Sequence, residues 1–458
     1  MKNSGYANLV AYGFSFALLL SQNENFLKHI GKKNNEIVVL RDVAALLKTT
    51  CLVHDIGNPP FGHFGENVIQ DCYKQLFESL RYEIKEANGE TTNYNHPILK
   101  FASLANENEK YLKELTDFLR EDNKALLDYT EFDGNAQGFR ILTKLQYQGD
   151  LTGLNLTLAT LAASLKYPNT SKKQKHLTDN GSPLPEDQIA LHKHGVFTTE
   201  QDYLDKISLD CGLINKDVIK RHPLSFLMEA ADSICYLIMD IEDGISKGWF
   251  TLNNVIDLLG KIDTNDFKQR MIDENIRSLD KSKNLRWCII KLRNFLFDYL
   301  ISKAVDNFVK NIKAIEDGDY QHELIFDDDN KLAESLQSFS RDEILSQREI
   351  VSLEVTGRAV ISGLFKIYID LLFHQDKGFR DRGKSLISRA IFKTTLHEHL
   401  QSKGLKDNEF DIEYEYQRFD VKDFSVEERL RIIRDFISGM TDNFALNHYR
   451  KLSGQQIS

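Results

Sequence analysis

Two histidines and two carboxylates lie within thirteen residues of one another, at His54, Asp55, His63 and Glu66. Imidazole nitrogens and carboxylate oxygens are the ligands that suit Mn, Fe, Mg or Zn ions. His54 and Asp55 are adjacent, so both can reach one metal ion where a helix ends and the chain turns. A His-Asp pair alone is common, but this one is followed by the restrictive string GNPPFGHFGE. The pattern predicts a metal centre with further polar groups beside it.

Helices are the elements predicted to position these residues. The helix before the doublet His54–Asp55 is predicted to end at these two residues, because Gly57 fits a helix C-terminus and the prolines at 59–60 prevent its continuation. The chain has only seven prolines, and none follows Pro223. Proline costs about 3 kcal/mol inside a helix, so this absence favours a long series of helices. Apolar residues also recur at helical spacing over 40–47, 255–262 and 432–437, and we predict an all-α fold.

Length and composition are those of a folded protein with an acidic balance. The chain has 458 residues and a formal net charge of −10, with 41% hydrophobic and 28% charged residues. Global disorder is excluded, and the acidic balance argues against a dedicated duplex-DNA binder. The longest apolar run, Leu9–Leu20, is shorter than the roughly 20 residues of a membrane span. We expect a buried helix there, no membrane segment and a cytoplasmic protein, and the five scattered cysteines predict no disulfide framework.

Two polar segments are predicted to be loops. Residues 166–185 contain three prolines and several lysines, which could line a site for an anion or could simply be solvated. Composition favours the solvated interpretation. The acidic run at 327–329 is predicted to lie in a second solvated loop.

The string around the doublet resembles the HD-domain superfamily of metal-dependent phosphohydrolases. Within that superfamily, it is similar to deoxyguanosinetriphosphate triphosphohydrolases and related dNTP triphosphohydrolases. Four further segments resemble this family in the expected order: Phe132–Leu145, Leu154–Pro168, Arg221–Gly244 and Ile437–Tyr449. The resemblance covers most of the chain. It implies an HD-domain helical core at 1–245 and an additional helical C-terminal region at 246–458 that carries the GMTD signature.

The resemblance implies that His54, Asp55 and Asp232 are three of the family's four protein metal ligands. A helix from about 224 to 240 would place Glu229, Asp232 and Tyr236 on one face, surrounded by apolar residues. Carboxylates on a buried helix need a partner, and a metal ion is one such partner. The alternative for Asp232 is an ion pair on a helix surface.

Further roles follow from the resemblance. His63 resembles the catalytic histidine and Glu66 the carboxylate that supports it, and a carboxylate three residues from a histidine tunes its pKa and fixes its tautomer. The alternative for this pair is a hydrogen bond that stabilises the loop. The remaining similarities are to substrate-binding residues. Asn135 and Gln137 resemble polar contacts near the phosphates. Lys193 resembles a lysine that contacts phosphate, and Tyr236 resembles the tyrosine that packs on the sugar. Lys193 could instead be an exposed lysine without a role.

One departure from the family pattern concerns the first metal ligand, a histidine in an arginine- and threonine-containing string well before the doublet. Residues 1–13 contain no histidine, and the nearest one, His29, stands in a different context. Two explanations fit: the chain starts too late, or the homologue has a weakened or lost metal site. We favour the first, because every later motif is intact.

The implied reaction is metal-dependent hydrolysis of a dNTP, dGTP by default, to deoxynucleoside and triphosphate, with Mn, Mg, Fe or Co as the cofactor. One alternative is an HD phosphohydrolase of another nucleotide. A second is a catalytically impaired, oligomeric homologue that binds nucleotides or single-stranded DNA. The resemblance also implies a homo-oligomer, often a hexamer, and leaves single-stranded DNA as a weaker expectation.

Overall fold

Helices form almost all of the regular structure, as the scarcity of proline predicts. The computed structural model describes residues 2–31, 35–86, 94–104, 108–146, 153–173, 193–215, 218–262, 264–279, 284–327 and 331–455. Within these ranges the strands are β1, Ile214–Asn215, and β2, Val218–Ile219, which pair antiparallel. The all-α prediction is therefore confirmed.

Ten helices of seven residues or more are described in the first 248 residues, and several of them position the predicted site. They are α1 (Lys2–Gln22), α2 (Glu24–Ile30), α3 (Ala44–Val53), α4 (Gly62–Glu86), α5 (Pro97–Leu104), α6 (Asn108–Phe118), α7 (Gly134–Arg140), α8 (Leu158–Ser164), α9 (Gln201–Asp210) and α10 (Pro223–Lys247). The helix predicted at about 224–240 is thus confirmed and extends further. It begins with Pro223 in its first turn and ends at Gly248, whose φ of 74° suits a helix C-cap.

The second half of the chain continues as helices to its last described residues. They are α11 (Leu252–Gly260), α12 (Asn265–Asp273), α13 (Leu285–Asp317), α14 (Leu332–Ile344), α15 (Arg348–Leu372), α16 (Lys377–Leu386), α17 (Arg389–Ser402), α18 (Ile412–Arg418), α19 (Val426–Ser438) and α20 (Asp442–Leu452). The apolar stripe predicted at 255–262 falls on α11 except for Ile262, which lies just beyond its end, and the stripe at 432–437 falls on α19. On α19 the whole stripe is buried.

One large apolar cluster packs α1 and α3 against α10 and α13. It includes Phe16 and Leu20 of α1, Leu47 of α3 and Ile234 of α10, all fully buried. The apolar run at 9–20 is thus the helix that we expected, although Phe14 and Leu18 are exposed. Because each such side chain contributes about 1.5–3 kcal/mol when fully buried, this cluster fixes α10 against the end of α3.

A second apolar cluster packs α4 against α15, and α15 against α19 and α20. Tyr73 of α4 lies at its centre, with its ring 4.9 Å from that of Phe365 and its hydroxyl donating to the carbonyl of Leu430 at 2.8 Å. This cluster holds the beginning of α4 in place from the C-terminal side. Both clusters contain residues from either side of position 245.

Two composition-based expectations can be checked in the same ranges. No helix in the described part of the chain combines the length and the hydropathy that a membrane crossing requires. All five cysteines carry free thiols, and Cys51, Cys235 and Cys288 are buried.

Candidate metal centre and the polar groups around it

His54 follows the last residue of α3 and is oriented by that helix. Its backbone N–H donates to the carbonyl of Thr50 at 3.0 Å, which continues the helical pattern for one more residue. Its ring Nδ1 lies 2.9 Å from the carbonyl oxygen of Cys51, so Nδ1 carries the proton that is donated. The ring therefore directs its other nitrogen, Nε2, away from the helix. A second hydrogen bond of this kind is typical of metal-binding histidines, whose tautomer it fixes.

Two carboxylates meet the Nε2 atom of His54. Asp55 brings Oδ2 to 3.4 Å and Asp232 of α10 brings Oδ1 to 3.2 Å, although Asp232 is 178 residues away in the chain. One ligand atom from each of the three residues lies within 4.8 Å of the other two. Nitrogen and carboxylate oxygen in this arrangement could hold a divalent cation. Among the described residues, His54, Asp55 and Asp232 are the group that meets this criterion.

The electrostatics of the group fit a positive charge between the carboxylates. Burial opposes protonation of His54, but its hydrogen bonds to Asp232 and Asp55 outweigh burial and raise its pKa to about 10. Burial also favours the neutral form of Asp232, yet its pKa is lowered because His54 and Lys166 lie close. The two carboxylates therefore favour positive charge at the point where they meet His54.

A half-buried lysine beside the group was not predicted from the sequence. Nζ of Lys166 lies 3.4 Å from Oε1 of Glu229 and 3.9 Å from Oδ2 of Asp232. Arg221 donates to the other oxygen of Glu229 at 2.7 Å, and Glu229 is only 1% exposed. Glu229 does share a helix face with Asp232, but its described partners are these two cations. Lys166 belongs to a segment that the sequence analysis noted, but no spacing rule links it to a helix sixty residues later.

His63 stands in the first turn of α4 and is largely exposed. Its Nδ1 lies 2.9 Å from Oε2 of the buried Glu66, and this hydrogen bond raises the pKa of His63. The second oxygen of Glu66 accepts a hydrogen bond from the backbone N–H of Gly134 at 2.8 Å. The pairing that the three-residue spacing predicted is therefore present. Glu66 also joins α4 to the beginning of α7, which the spacing could not indicate.

The turn after the doublet packs directly on α7 without intervening side chains. A β-carbon at Gly57 would lie 2.0 Å from the backbone nitrogen of Gly138 and 2.1 Å from the carbonyl oxygen of Gly134. Only glycine fits this approach. It brings Asn135 of α7 to the wall of a small cavity of about 10 Å³, which His54 and Lys166 also line. That volume accommodates about one water molecule.

The other predicted substrate contacts lie at different depths. Asn135 donates through Nδ2 to Asp133 at 2.8 Å, whereas Gln137 is fully buried and its amide has no hydrogen-bond partner in the part of the chain that is described. Lys193 is exposed, with Nζ 5.7 Å from the ring centre of Tyr167. Tyr236 follows Asp232 by one helical turn and is 57% exposed.

His29, the nearest histidine before the doublet, pairs with a different residue: its Nε2 atom lies 3.0 Å from Oε1 of Glu316. The loop predicted at 166–185 is described only as far as residue 173, so most of its lysines lie outside the described residues. Residues 328–329 of the acidic run also lie outside them.

Comparison with known proteins supports the motif-based resemblance. A family model described as "Phosphohydrolase-associated domain" matches residues 394–451. A deoxyguanosinetriphosphate triphosphohydrolase of Yersinia pestis is 28% identical over 434 residues, which cover 89% of this chain and 78% of the relative. A deoxyguanosinetriphosphate triphosphohydrolase-like protein of Listeria monocytogenes is 28% identical over 444 residues, covering 94% and 81% of the two chains. The resemblance predicted from the motifs is confirmed.

Proposed function

We propose that this chain, which resembles the deoxyguanosinetriphosphate triphosphohydrolases over most of its length, hydrolyses a deoxynucleoside triphosphate to deoxynucleoside and intact triphosphate. The observation that carries the proposal is the convergence of His54, Asp55 and Asp232 on one point, next to a second histidine–carboxylate pair. The names of the relatives from Yersinia and Listeria support dGTP as the first substrate to test.

His54, Asp55 and Asp232 are the residues that would hold a divalent metal ion, which we propose to be Mn, Mg, Fe or Co. When bound, such an ion supplies positive charge that polarises a phosphate and lowers the pKa of water. The tautomer of His54 is set for this role by the carbonyl of Cys51.

His63 is proposed to manage the proton in the reaction. Water attacks the α-phosphorus, the bond from phosphorus to the 5′-oxygen breaks, and that oxygen takes a proton as it leaves. Nδ1 of His63 is bound to Glu66, so Nε2 is the atom that can deliver this proton. Glu66 favours the protonated imidazole, and its own position is held by the N–H of Gly134.

Lysines and polar groups near the centre are proposed to bind the nucleotide. The chain has a net charge of −10, so a triphosphate must be held by local cations rather than by long-range attraction. Lys193 is exposed and suits this role, while Lys166 is committed to Glu229 and Asp232. Asn135 and Gln137 as phosphate contacts, and Tyr236 as the residue that packs on deoxyribose, complete the proposed set.

The test is incubation of the purified chain with dGTP and Mn²⁺, followed by detection of intact triphosphate. His63→Ala should lower the rate by about 10²–10⁴-fold, the usual contribution of a general acid. Release of single phosphates or pyrophosphate instead would indicate a phosphohydrolase of a different class. Unchanged triphosphate release in the His63→Ala variant would contradict the role of His63.

Among the described residues the group has three protein ligands, whereas the resemblance implies four. This difference supports a second candidate, a catalytically impaired homologue that binds nucleotides or single-stranded DNA. Saturable dGTP binding without triphosphate release would support it. A homo-oligomer, a cytoplasmic location and the division into 1–245 and 246–458 stay predictions.

A further inference from the structure

The C-terminal GMTD signature contacts the loop that joins the metal ligands to His63. The carboxylate Oδ1 of Asp442 accepts a hydrogen bond from the backbone N–H of Phe61 at 2.9 Å, across 381 residues of sequence. Asp442 is the first residue of α20, and Phe61 immediately precedes α4. His63 is two residues from this hydrogen bond.

Phe61 adopts a backbone conformation that it would not choose by itself. Its φ is +67°, in the left-handed region that non-glycine residues rarely occupy. Such a conformation persists only where the surrounding structure imposes it. The hydrogen bond that the N–H of Phe61 donates to Asp442 is one constraint. A second is the ring of Phe61, which packs on Gly357 of α15 so closely that a β-carbon at 357 would lie 2.8 Å from Cγ.

This conformation determines where α4 begins. The N–H of Gly62 donates to the carbonyl of Pro59 at 3.0 Å, which closes the turn, and α4 starts at Gly62. His63 and Glu66 both lie in the first turns of that helix. A change in the backbone at Phe61 would therefore move the imidazole of His63 relative to the carboxylates of Asp55 and Asp232.

We propose that Asp442 is a positioning residue for His63, acting through the backbone of Phe61. The inference rests on the proposed function, because it assigns His63 to the reaction. A purely structural role is the alternative, since a carboxylate in the first turn of a helix also stabilises that helix.

Three variants separate these roles. Asp442→Ala removes the acceptor for Phe61, and Asp442→Asn keeps an oxygen that can accept this hydrogen bond. Thr441→Ala is the matched control, because Thr441 is the N-cap of the same helix and accepts from the N–H of Phe444. It weakens the beginning of α20 without touching Phe61.

The full chain with Mn²⁺ is assayed for triphosphate release from dGTP, for Mn²⁺ affinity and for hydrogen exchange in the peptide covering 59–66. We expect Asp442→Ala to lower kcat by about tenfold or more, since small misplacements of catalytic groups have effects of this size. Exchange at 59–66 should rise in that variant, while Mn²⁺ affinity stays at the wild-type level. Asp442→Asn should regain much of the lost kcat, and Thr441→Ala should match the wild type in both kcat and exchange.

Equal loss of kcat in Asp442→Ala and Thr441→Ala would overturn the inference, as would unchanged exchange at 59–66 in Asp442→Ala. Absence of triphosphate release from the wild-type chain is a different result, since it rejects the proposed function. In that case hydrogen exchange in the peptide covering 59–66 alone decides whether Asp442 holds the loop.

Discussion

Glu66 joins His63 to a different helix: one of its carboxylate oxygens lies 2.9 Å from Nδ1 of His63, and the other accepts the N–H of Gly134 at 2.8 Å. The carboxylate is buried although the imidazole is largely exposed. The charge that acts on His63 is therefore fixed by the protein interior, while the imidazole itself stays accessible to a substrate. This arrangement suits a histidine that is kept protonated for delivery to a leaving group.

Replacing Glu66 by Gln should shift the pH dependence of the reaction towards acid. Glu66 raises the pKa of His63, so removal of its charge lowers that pKa. A proton donor is active below its pKa, and activity is lost as the pH rises through it. The alkaline limb of kcat/KM against pH should therefore move to lower pH in Glu66→Gln.

The matched control for this charge removal is Glu78→Gln, on an exposed position of the same helix. Its pH profile should coincide with that of the wild type. An alkaline limb that stays in place in Glu66→Gln would mean that His63 does not supply the proton.

Local sequence signals predicted the features of the site that depend on local geometry. Gly57 and the prolines at 59–60 indicated where α3 ends, and helical spacing indicated that Asp232 lies on a buried face of a long helix. The prediction that Asp232 and His54 meet at one metal ion came from the family resemblance. The link between Lys166 and Glu229 could not be predicted, because it depends on how a loop packs against α10.

The contact of Asp442 with Phe61 was equally out of reach for sequence reasoning. The GMTD string stood out as a signature, but 381 residues separate the two partners and no periodicity relates them. The left-handed backbone of Phe61 carried no signal either, because the residue that usually indicates it is glycine. Such pairings depend on tertiary packing rather than on local preference.

Metal binding should depend strongly on Asp232. Asp232→Asn removes one of the three converging ligands, and we expect Mn²⁺ affinity to fall by more than the roughly 10–100-fold typical of residues that merely support a ligand. Titration calorimetry of the metal-free protein measures this directly. Asp243→Asn, eleven residues later on α10 and outside the group of three, should bind Mn²⁺ as the wild type does. Equal affinities in the two variants would remove Asp232 from the metal centre.

Lys193 should affect the substrate rather than the fold. Its side chain is exposed, so Lys193→Ala should leave the melting temperature unchanged. Loss of a charged hydrogen bond to phosphate is worth about 1.5–3 kcal/mol, so kcat/KM for dGTP should fall by roughly 10–100-fold. Lys172→Ala, another exposed lysine in the same region of sequence, serves as the control. A similar kcat/KM in both variants would leave Lys193 without a substrate role.

Arg140 of α7 should be important for stability, because it connects the site to the C-terminal helices. Its guanidinium is fully buried and contacts Glu200 at 2.6 Å, Asp435 at 2.7 Å and Glu398 at 3.2 Å. Arg140→Met would leave these carboxylates without that partner. Breaking a buried ion pair from one side typically costs about 3–5 kcal/mol, which denaturant unfolding can measure.

The loss of stability in Arg140→Met should depend on pH. Burial would raise the pKa of Glu398, but Arg140 and Arg431 outweigh it and hold that pKa well below its usual range. A lowered pKa contributes stability at neutral pH that is lost as the pH falls below the unfolded-state value of about 4.3 and through the folded-state pKa. The difference in unfolding free energy between wild type and Arg140→Met should therefore shrink on acidification. Lys377→Met, which breaks an exposed pair with Asp381, should show no measurable change at any pH. A difference that is constant with pH would mean that Arg140 acts through packing rather than through these carboxylates.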